Sequence, residues 1–183
     1  MIEREAKRLE HLVENLLHFS RAERGTLRLA SEPVDLAVLT REIAAEFTPL
    51  ADKADVRIRV EGVESLTATA DRDAWRQVVL NLLDNAVKYG GRGSEVTVRL
   101  TREGPWCRLT VADQGPGIPV ADRDRIWERF WRGDAARANG VTGTGIGLAT
   151  VRDLLRLHRG DCSMEAVEPH GARFVVRVPV VAP

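Results

Sequence analysis

The chain has 183 residues, enough for one packed domain with an appended element. Its 27 basic and 27 acidic residues balance, so no net positive field indicates nucleic acid as a partner. No apolar run reaches the roughly 20 residues of a membrane span, and the first residues are too polar for a signal segment. We therefore expect a cytoplasmic chain that makes no membrane contact of its own.

The cysteine content gives little support for a disulfide framework. Cys107 and Cys162 both lie in apolar, strand-like sequence. A disulfide between them stays open at this level, but buried free thiols of a cytoplasmic protein are the preferred interpretation. The sequence has no Cys and His cluster with metal-ligand spacing.

Residues 2–24 have the pattern of one amphipathic helix that ends at Gly25. Such a stripe needs a partner to cover it. Either the helix folds back on its own domain, or it joins an antiparallel or dimeric helical bundle, part of which lies outside this chain. A homodimer through this helix is the expectation that follows from the second alternative. The stripe consists of Ile2, Ala6, Leu9, Val13, Leu16 and Ser20, and it is widened by Leu12 and Leu17.

The segment that follows predicts short elements of a mixed domain. Residues 26–29 form a strand candidate, and Pro33 breaks the pattern. Asp35 can cap a helix over residues 36–53, which has apolar residues along one face. Two further strands are predicted at residues 56–60 and 66–70.

The helix predicted over residues 71–89 is the most informative one. Its polar face contains two asparagines one turn apart, Asn81 and Asn85, with Lys88 close by. Asparagine carbonyls are oxygen ligands suited to a Mg²⁺ ion that bridges phosphates, and a lysine supplies positive charge to them. An ordinary polar face is the alternative, which the glycine motifs downstream disfavour. The rest of that face is Gln77 and Asp84, opposite Trp75, Val79, Leu82, Leu83 and Ala86.

A predicted hairpin of residues 95–101 and 106–112 leads directly into Asp113. A carboxylate at a strand end can accept a hydrogen bond from an exocyclic amine such as that of adenine. Gly115 and Gly117 would let a ring approach the main chain closely. Taken locally, a β-turn with an Asx cap explains the same residues equally well.

Residues 120–133 predict a short helix whose apolar residues are Ile126, Trp127, Phe130 and Trp131. The following stretch, residues 133–141, is small and polar and should be mobile. Its neighbourhood contains arginines that could reach a polyphosphate from a closing lid, or could be solvated surface. Arg132 is the preferred candidate because it follows the aromatic pair; Arg129 and Arg137 are the others.

A glycine cluster from Gly143 to Gly147 opens a helix that continues to His158. Backbone N–H groups and the helix dipole make such a start an anion site. The spacing fits neither a dinucleotide-binding motif nor a P-loop. Strands at residues 161–167 and 173–180 complete the domain. The predicted class is α+β, with helices on one face of a mixed, mostly antiparallel sheet whose other face is open.

Four segments, in this order, match the signature motifs of one family: residues 81–89, 113–117, 128–132 and 143–149. Over residues 26–183 the chain resembles the catalytic ATP-binding domain of sensor histidine kinases, part of the group shared with gyrase and HSP90-type ATPases. The resemblance implies the two-layer Bergerat-type fold, with ATP and Mg²⁺ as cofactors. Residues 1–25 are similar to the second helix of the family's dimerisation and phosphoacceptor hairpin.

The resemblance also implies roles for single residues. Asn85 would ligate Mg²⁺, assisted by Asn81, and Asp113 would bind the adenine amino group. The ATPase relatives have a Glu that activates water at the position of Asn81, and an amide is a much poorer base, which fits a transferase. The remaining implied site residues are Lys88, Tyr89 and Arg132 for phosphate and nucleotide, Gly115, Gly117 and Ile118 for the adenine pocket, Phe130 as lid anchor, and Gly143, Thr144, Gly145, Ile146, Gly147 and Leu148 around the phosphates.

The chain departs from the family in its acceptor motif. Neither His11 nor His18 is followed by the acid and proline of that motif, so we interpret both as helix residues. The phosphoacceptor histidine is then absent from this chain. Either the chain is a fragment of a longer, membrane-anchored sensor, or it phosphorylates a separate acceptor helix; a response regulator is the further partner expected.

Three hypotheses follow. The first is a protein histidine kinase domain that offers the γ-phosphoryl of Mg-ATP to a histidine on another helix. The second is a partner-binding module that holds nucleotide without transfer. The third is a serine kinase of the anti-sigma type, which the helical stripe of residues 2–24 disfavours because that subfamily has no such hairpin remnant.

Overall fold

The computed structural model describes residues 28–133 and 143–180. The predicted N-terminal helix, the boundary between residues 1–25 and 26–183, and most of the lid segment depend on residues outside these ranges, so they stay predictions. The elements in chain order are β1 (Glu32–Asp35), α1 (Leu36–Lys53), β2 (Val56–Gly62), β3 (Thr67–Ala70), α2 (Arg72–Gly90), β4 (Ser94–Glu103), β5 (Trp106–Ala112), α3 (Gly147–Leu157), β6 (Asp161–Ala166) and β7 (Ala172–Pro179).

The main sheet has five strands in the order β2-β4-β5-β7-β6. β2 pairs with β4 in parallel, and the other neighbours are antiparallel. β1 and β3 form a separate two-stranded antiparallel sheet. Helices α1, α2 and α3 cover one face of the main sheet, which confirms the predicted α+β class.

The strand predicted at residues 26–29 lies half outside the described residues, and the half that is described is not a strand. Arg28 and Leu29 are irregular, and the strand lies instead at Glu32–Asp35 with Pro33 inside it, opposite Thr69. A two-stranded sheet has only edge strands, which tolerate a residue that cannot donate a hydrogen bond. Pro33 therefore interrupts no ladder that the fold requires.

The first long helix begins where the sequence predicted and the second begins one residue later, and an aspartate caps each. Asp35 Oδ1 accepts hydrogen bonds from the N–H groups of Ala37 and Val38, both at 3.0 Å. Asp71 Oδ1 accepts one from Ala74 N at 2.9 Å. Each cap satisfies N–H groups that have no partner inside the helix.

The core lies between the helices and the inner face of the sheet, and Trp75 of α2 is fully buried in it. The indole Nε1 donates to Thr40 Oγ1 on α1 at 3.0 Å. The Thr40 hydroxyl in turn donates to the Leu36 carbonyl at 2.6 Å. One buried hydroxyl thus joins α1 to α2 and satisfies the polar atom of the largest core side chain.

We expect Thr40→Val to lower the free energy of unfolding by about 1–3 kcal/mol, because it leaves the buried Trp75 N–H without an acceptor. Valine has nearly the shape of threonine, so no cavity forms. Urea denaturation of the two chains measures the difference. An unchanged midpoint would contradict the role assigned to this hydrogen bond.

The outer face of the main sheet carries pairs of opposite charge. Arg99 of β4 binds Glu61 of β2 at 2.5 Å, and Arg177 of β7 binds Asp161 of β6 at 3.0 Å. Exposed pairs of this kind contribute little stability each. These pairs make the outer face polar. The sequence predicted that the helices leave this face open, but it did not indicate what, if anything, docks there.

Both cysteines are free thiols, as preferred from the sequence. Cys107 lies on β5 and Cys162 on β6, and β7 runs between these strands. Burial raises the pKa of the Cys107 thiol to about 12 and that of the Cys162 thiol to about 11. Neither thiol is therefore activated as a nucleophile.

Candidate nucleotide site

The polar face of α2 is covered at one end and accessible at the other. Asn81 is only 2% exposed and Gln77 is also buried, whereas Asn85 is half-buried and Tyr89 is exposed. Lys88 forms an ion pair with Asp84 one turn back. Buried amides on a helix face need a neighbouring element, and for Asn81 this neighbour is the start of α3.

The contact between α2 and α3 is made by Asn81 and Gly147. A Cβ added to Gly147 would lie 3.1 Å from Asn81 Oδ1, so only a glycine allows this approach without displacement. α3 begins at Gly147, as predicted, and Ile146 before it is buried. The first N–H groups of this helix therefore lie beside the middle of α2.

Asp113 lies at the end of β5 and is 3% exposed. Its Oδ1 accepts hydrogen bonds from Gly115 N at 2.9 Å and from Ala172 N at 3.3 Å. No donor among the described residues contacts Oδ2, so this oxygen is available to a ligand. Burial raises the pKa of the Asp113 carboxyl, and the two backbone hydrogen bonds oppose this effect.

The loop after Asp113 packs against the C-terminal end of α2. A Cβ added to Gly115 would lie 2.2 Å from the carbonyl oxygen of Tyr89, an impossible distance, so glycine is required here. Gly117 adopts φ 76° beside Gly171, and Ile118 is half-buried. This end of α2 therefore forms one wall beside the Asp113 carboxylate.

His170 holds the same loop from the other side, a role that the sequence did not reveal. Its Nδ1 lies 2.9 Å from the Gln114 carbonyl and 3.2 Å from the Gly115 carbonyl, so this nitrogen carries the proton and donates. Gln114 Oε1 also accepts from Glu95 N at 3.0 Å. His170 lies in a turn distant in sequence, and only the pairing of β7 with β5 brings it here.

The prediction of a helix within residues 120–133 is wrong. The segment forms two single 3₁₀ turns, Val120–Asp122 and Arg125–Trp127. Ile126 and Trp127 are buried, and the Trp127 and Phe174 rings form a T-shaped pair with centroids 6.0 Å apart. Phe130, at φ 62°, cannot continue a helix and is 57% exposed, so any anchoring of the lid by its ring stays a prediction.

Phe130 is nevertheless tied through its backbone to the second glycine cluster. Phe130 N donates to the Gly145 carbonyl at 2.9 Å. Gly145 has φ 73°, and a Cβ added there would lie 2.7 Å from the Phe130 carbonyl carbon. Gly143 and Thr144 before it are exposed, and Leu148 after it is half-buried.

Gly145 and Gly143 provide a matched pair of substitutions. We expect Gly145→Ala to lower the free energy of unfolding by about 1–3 kcal/mol, since it adds left-handed strain and a backbone clash. Gly143→Ala should change it by less than about 0.5 kcal/mol, because no heavy atom of the described residues would lie within 4 Å of the new Cβ. Thermal unfolding of both variants checks this, and equal losses would contradict it.

The arginines proposed to contact the phosphates lie in different surroundings. Arg129 forms an ion pair with Asp153 of α3 at 3.0 Å. The positive charge of Arg132 acts on the Tyr89 hydroxyl, where it opposes the rise in the pKa of Tyr89 caused by burial. Arg132 thus lies near the C-terminal end of α2, and Arg137 lies outside the described residues.

Comparison with known proteins identifies the class. The family described as "Histidine kinase-, DNA gyrase B-, and HSP90-like ATPase" matches residues 70–182, and the chain belongs to this family. It is 36% identical over 166 residues to sensor protein IrlS of Burkholderia pseudomallei, covering 91% of this chain and 35% of that protein. It is 33% identical over 178 residues to sensor-like histidine kinase SenX3 of Mycobacterium tuberculosis, covering 97% and 43%.

Solved structures agree. The mycobacterial sensor histidine kinase MprB superimposes with a TM-score of 0.73 at 29% identity, over 84% of this chain and all of that one. Full-length ShkA in complex with AMPPNP superimposes with a TM-score of 0.83 at 30% identity, over 98% of this chain and 37% of that one. Within its family the chain is therefore an ATP-binding domain of the sensor histidine kinase type. It spans less than half the length of the curated relatives named above.

Within the described ranges, no helix is long and apolar enough to cross a membrane. The same ranges contain no cluster of three or more His, Cys, Asp or Glu side chains that could hold a metal ion. Mg²⁺ commonly keeps several waters and binds phosphates together with one or two protein oxygens. One amide oxygen, that of Asn85, fits such an ion well.

Proposed function

We propose that this chain binds Mg-ATP along α2 and presents the γ-phosphoryl group to a histidine on a helix that is not part of this chain. One observation carries the proposal. Two glycine segments contact the same helix, the Asp113 loop at Tyr89 and the start of α3 at Asn81. The contact points are two helical turns apart, and Asn85 lies between them.

The part of the proposed site next to Asp113 suits the adenine ring. Oδ1 of the carboxylate is held by two backbone N–H groups, and Oδ2 remains to accept the exocyclic amine. Gly115 and Gly117 keep side chains away from the ring plane. The contacts from His170 and Tyr89 hold this loop before the nucleotide arrives, which lowers the entropy lost on binding.

The other end suits the phosphates. The first N–H groups of α3 and its dipole favour negative charge, and Gly147 lets these groups lie close to Asn81 on α2. Asn85 would hold Mg²⁺, which supplies charge neutralisation on the phosphates, and Asn81 would assist. Lys88 would have to exchange Asp84 for a phosphate oxygen, and Arg132 would add charge from the lid side.

The acceptor imidazole is the nucleophile of the proposed reaction, so this chain need not supply one. Its residues position ATP and limit water at the reacting group. Asn81, an amide against α3, is a poor base for activating water. We further propose a cytoplasmic location, dimerisation through residues 2–24, and a response regulator as the final phosphoryl acceptor in a longer, membrane-anchored parent.

Transfer is tested with γ-labelled ATP and Mg²⁺, first with the chain alone and then with a separate helical hairpin that carries an acceptor histidine. We expect acid-labile label on the added hairpin and none on a hairpin with that histidine replaced by glutamine. Acid-stable label would indicate a serine kinase. Binding of ATP without transfer in any tube would favour the nucleotide-holding module.

A further inference from the structure

His158 lies at the end of α3, far from the glycine segments, and uses both ring nitrogens. It is 8% exposed. Nε2 lies 3.1 Å from the backbone nitrogen of Asp71, and Nδ1 lies 2.8 Å from the Leu154 carbonyl oxygen. Because the Asp71 N–H is a donor, Nε2 must accept, so the proton is on Nδ1 and is donated to Leu154.

The bond from Asp71 to His158 joins two antiparallel helices at the ends remote from the nucleotide site. Asp71 caps the start of α2, and His158 follows the last residue of α3. At the other end of the pair, Asn81 meets Gly147. The segments 71–81 and 147–158 have nearly equal lengths, roughly 15 Å at 1.5 Å per residue, so the two contacts fix both ends of one helix pair.

Apolar packing alone does not fix the axial position of α3 so closely. The buried face of α3, formed by Val151, Leu154 and Leu155, packs in the core through contacts that have no preferred direction. A hydrogen bond has a narrow range of distance and angle. Asp71 makes three hydrogen bonds. Its carboxylate accepts from Ala74 N and, at 2.6 Å, from Ala30 N, and its backbone N–H donates to His158 Nε2.

We propose that His158 is a positioning residue for phosphate binding. By accepting the Asp71 N–H it sets the position of α3 along α2, and so the distance between the first N–H groups of α3 and the polar face that contains Asn81 and Asn85. This role rests on the proposed function, because it requires phosphates at the start of α3. The role predicts that loss of this hydrogen bond weakens binding of the phosphates and leaves binding of the adenine ring unchanged.

Three variants test the role. His158→Asn places an amide near the Nδ1 position, so it can keep the bond to Leu154 but cannot reach Asp71. His158→Gln places its carbonyl oxygen near the Nε2 position, so it can still accept from Asp71. Thr40→Val is the stability control, since it also loses a buried hydrogen bond but does so between α1 and α2.

The measurement is the dissociation constant of AMPPNP with Mg²⁺ and that of adenosine, for each chain. We expect His158→Asn to weaken AMPPNP about fivefold, the effect of one hydrogen bond, with adenosine unchanged. His158→Gln and Thr40→Val should stay within about twofold of the wild type for both ligands. Faster amide exchange at residues 147–150 in the His158→Asn chain should accompany the loss.

Several results would overturn the proposal: unchanged AMPPNP binding in His158→Asn, equal losses for adenosine and AMPPNP, or losses in His158→Gln or Thr40→Val as large as in His158→Asn. If His158→Asn does not fold, His158→Gln still decides, since weak AMPPNP binding with the Asp71 link retained contradicts the role. A wild-type chain that binds no AMPPNP would overturn the proposed function itself.

Discussion

Asp113→Asn is expected to weaken ATP binding by about 10- to 100-fold, the cost of losing a hydrogen bond to a charged group. The amide oxygen can keep the bonds from Gly115 and Ala172, so the loop stays in place. The amide nitrogen would then face the adenine amine, donor against donor. Competition binding with a fluorescent nucleotide measures the change.

ITP provides the matched control for this substitution. Its base has a carbonyl oxygen where adenine has the amine, and the new amide can donate to it. ITP should therefore lose less affinity than ATP, or gain some, in the Asp113→Asn chain. Parallel losses for ATP and ITP would mean that Asp113 acts only on the structure of the loop.

The same substitution is expected to raise the melting temperature of the nucleotide-free chain at pH 7. Burial raises the pKa of the Asp113 carboxyl above its value in the unfolded chain. A raised folded pKa means that the stability is fully present below the ordinary value and falls as the pH rises through the folded pKa. The amide in the Asp113→Asn chain cannot ionise, so the advantage of the variant should shrink on acidification; a constant advantage from pH 7 to pH 4 would contradict this origin.

Asn85→Ala is expected to lower Mg²⁺-dependent phosphoryl transfer by about a hundredfold or more, since it removes the one amide oxygen assigned to the metal. Asn85 is half-buried, and alanine is a better helix former, so the apo fold should persist. In the wild type Mg²⁺ should tighten AMPPNP binding, whereas in the variant binding should be the same with and without Mg²⁺.

Arg76→Ala is a control on the same helix. Arg76 is half-buried and pairs with Glu46 of α1, so its loss should leave nucleotide binding and transfer unchanged. If Asn85→Ala kept wild-type transfer, or if Arg76→Ala lost as much, the assignment of Asn85 to the metal would be wrong. Circular dichroism of both variants confirms that any loss of transfer does not come from unfolding.

Sequence pattern predicted those features that depend on local chemistry. Asp35 caps α1 as predicted, because a short carboxylate at that position satisfies N–H groups nearby in the chain, and Asp71, predicted as the first residue of its helix, caps α2 in the same way. The start of α3 at Gly147 and the strand that ends before Asp113 followed from the same kind of evidence. Asn81, Asn85 and the glycine segments were candidate site residues because their types and spacing have few structural explanations.

Features that depend on distant residues were not accessible in this way. Pro33 lies in a strand because β1 and β3 form a two-stranded sheet, which no local rule shows. Residues 120–133 form turns instead of a helix because Ile126 and Trp127 pack on the sheet, while the Phe130 backbone is held by Gly145. Sequence periodicity could not detect either contact.

The sequence by itself determined where the helices begin and indicated the side chains that we propose for the nucleotide, because both depend on residue type and short spacing. Only the tertiary structure decided that Asn81 is buried against Gly147, that His170 holds the Asp113 loop and that His158 joins α3 to α2. These contacts join segments far apart in the chain. Their formation depends on how strands pair and helices pack, which local chemistry does not specify.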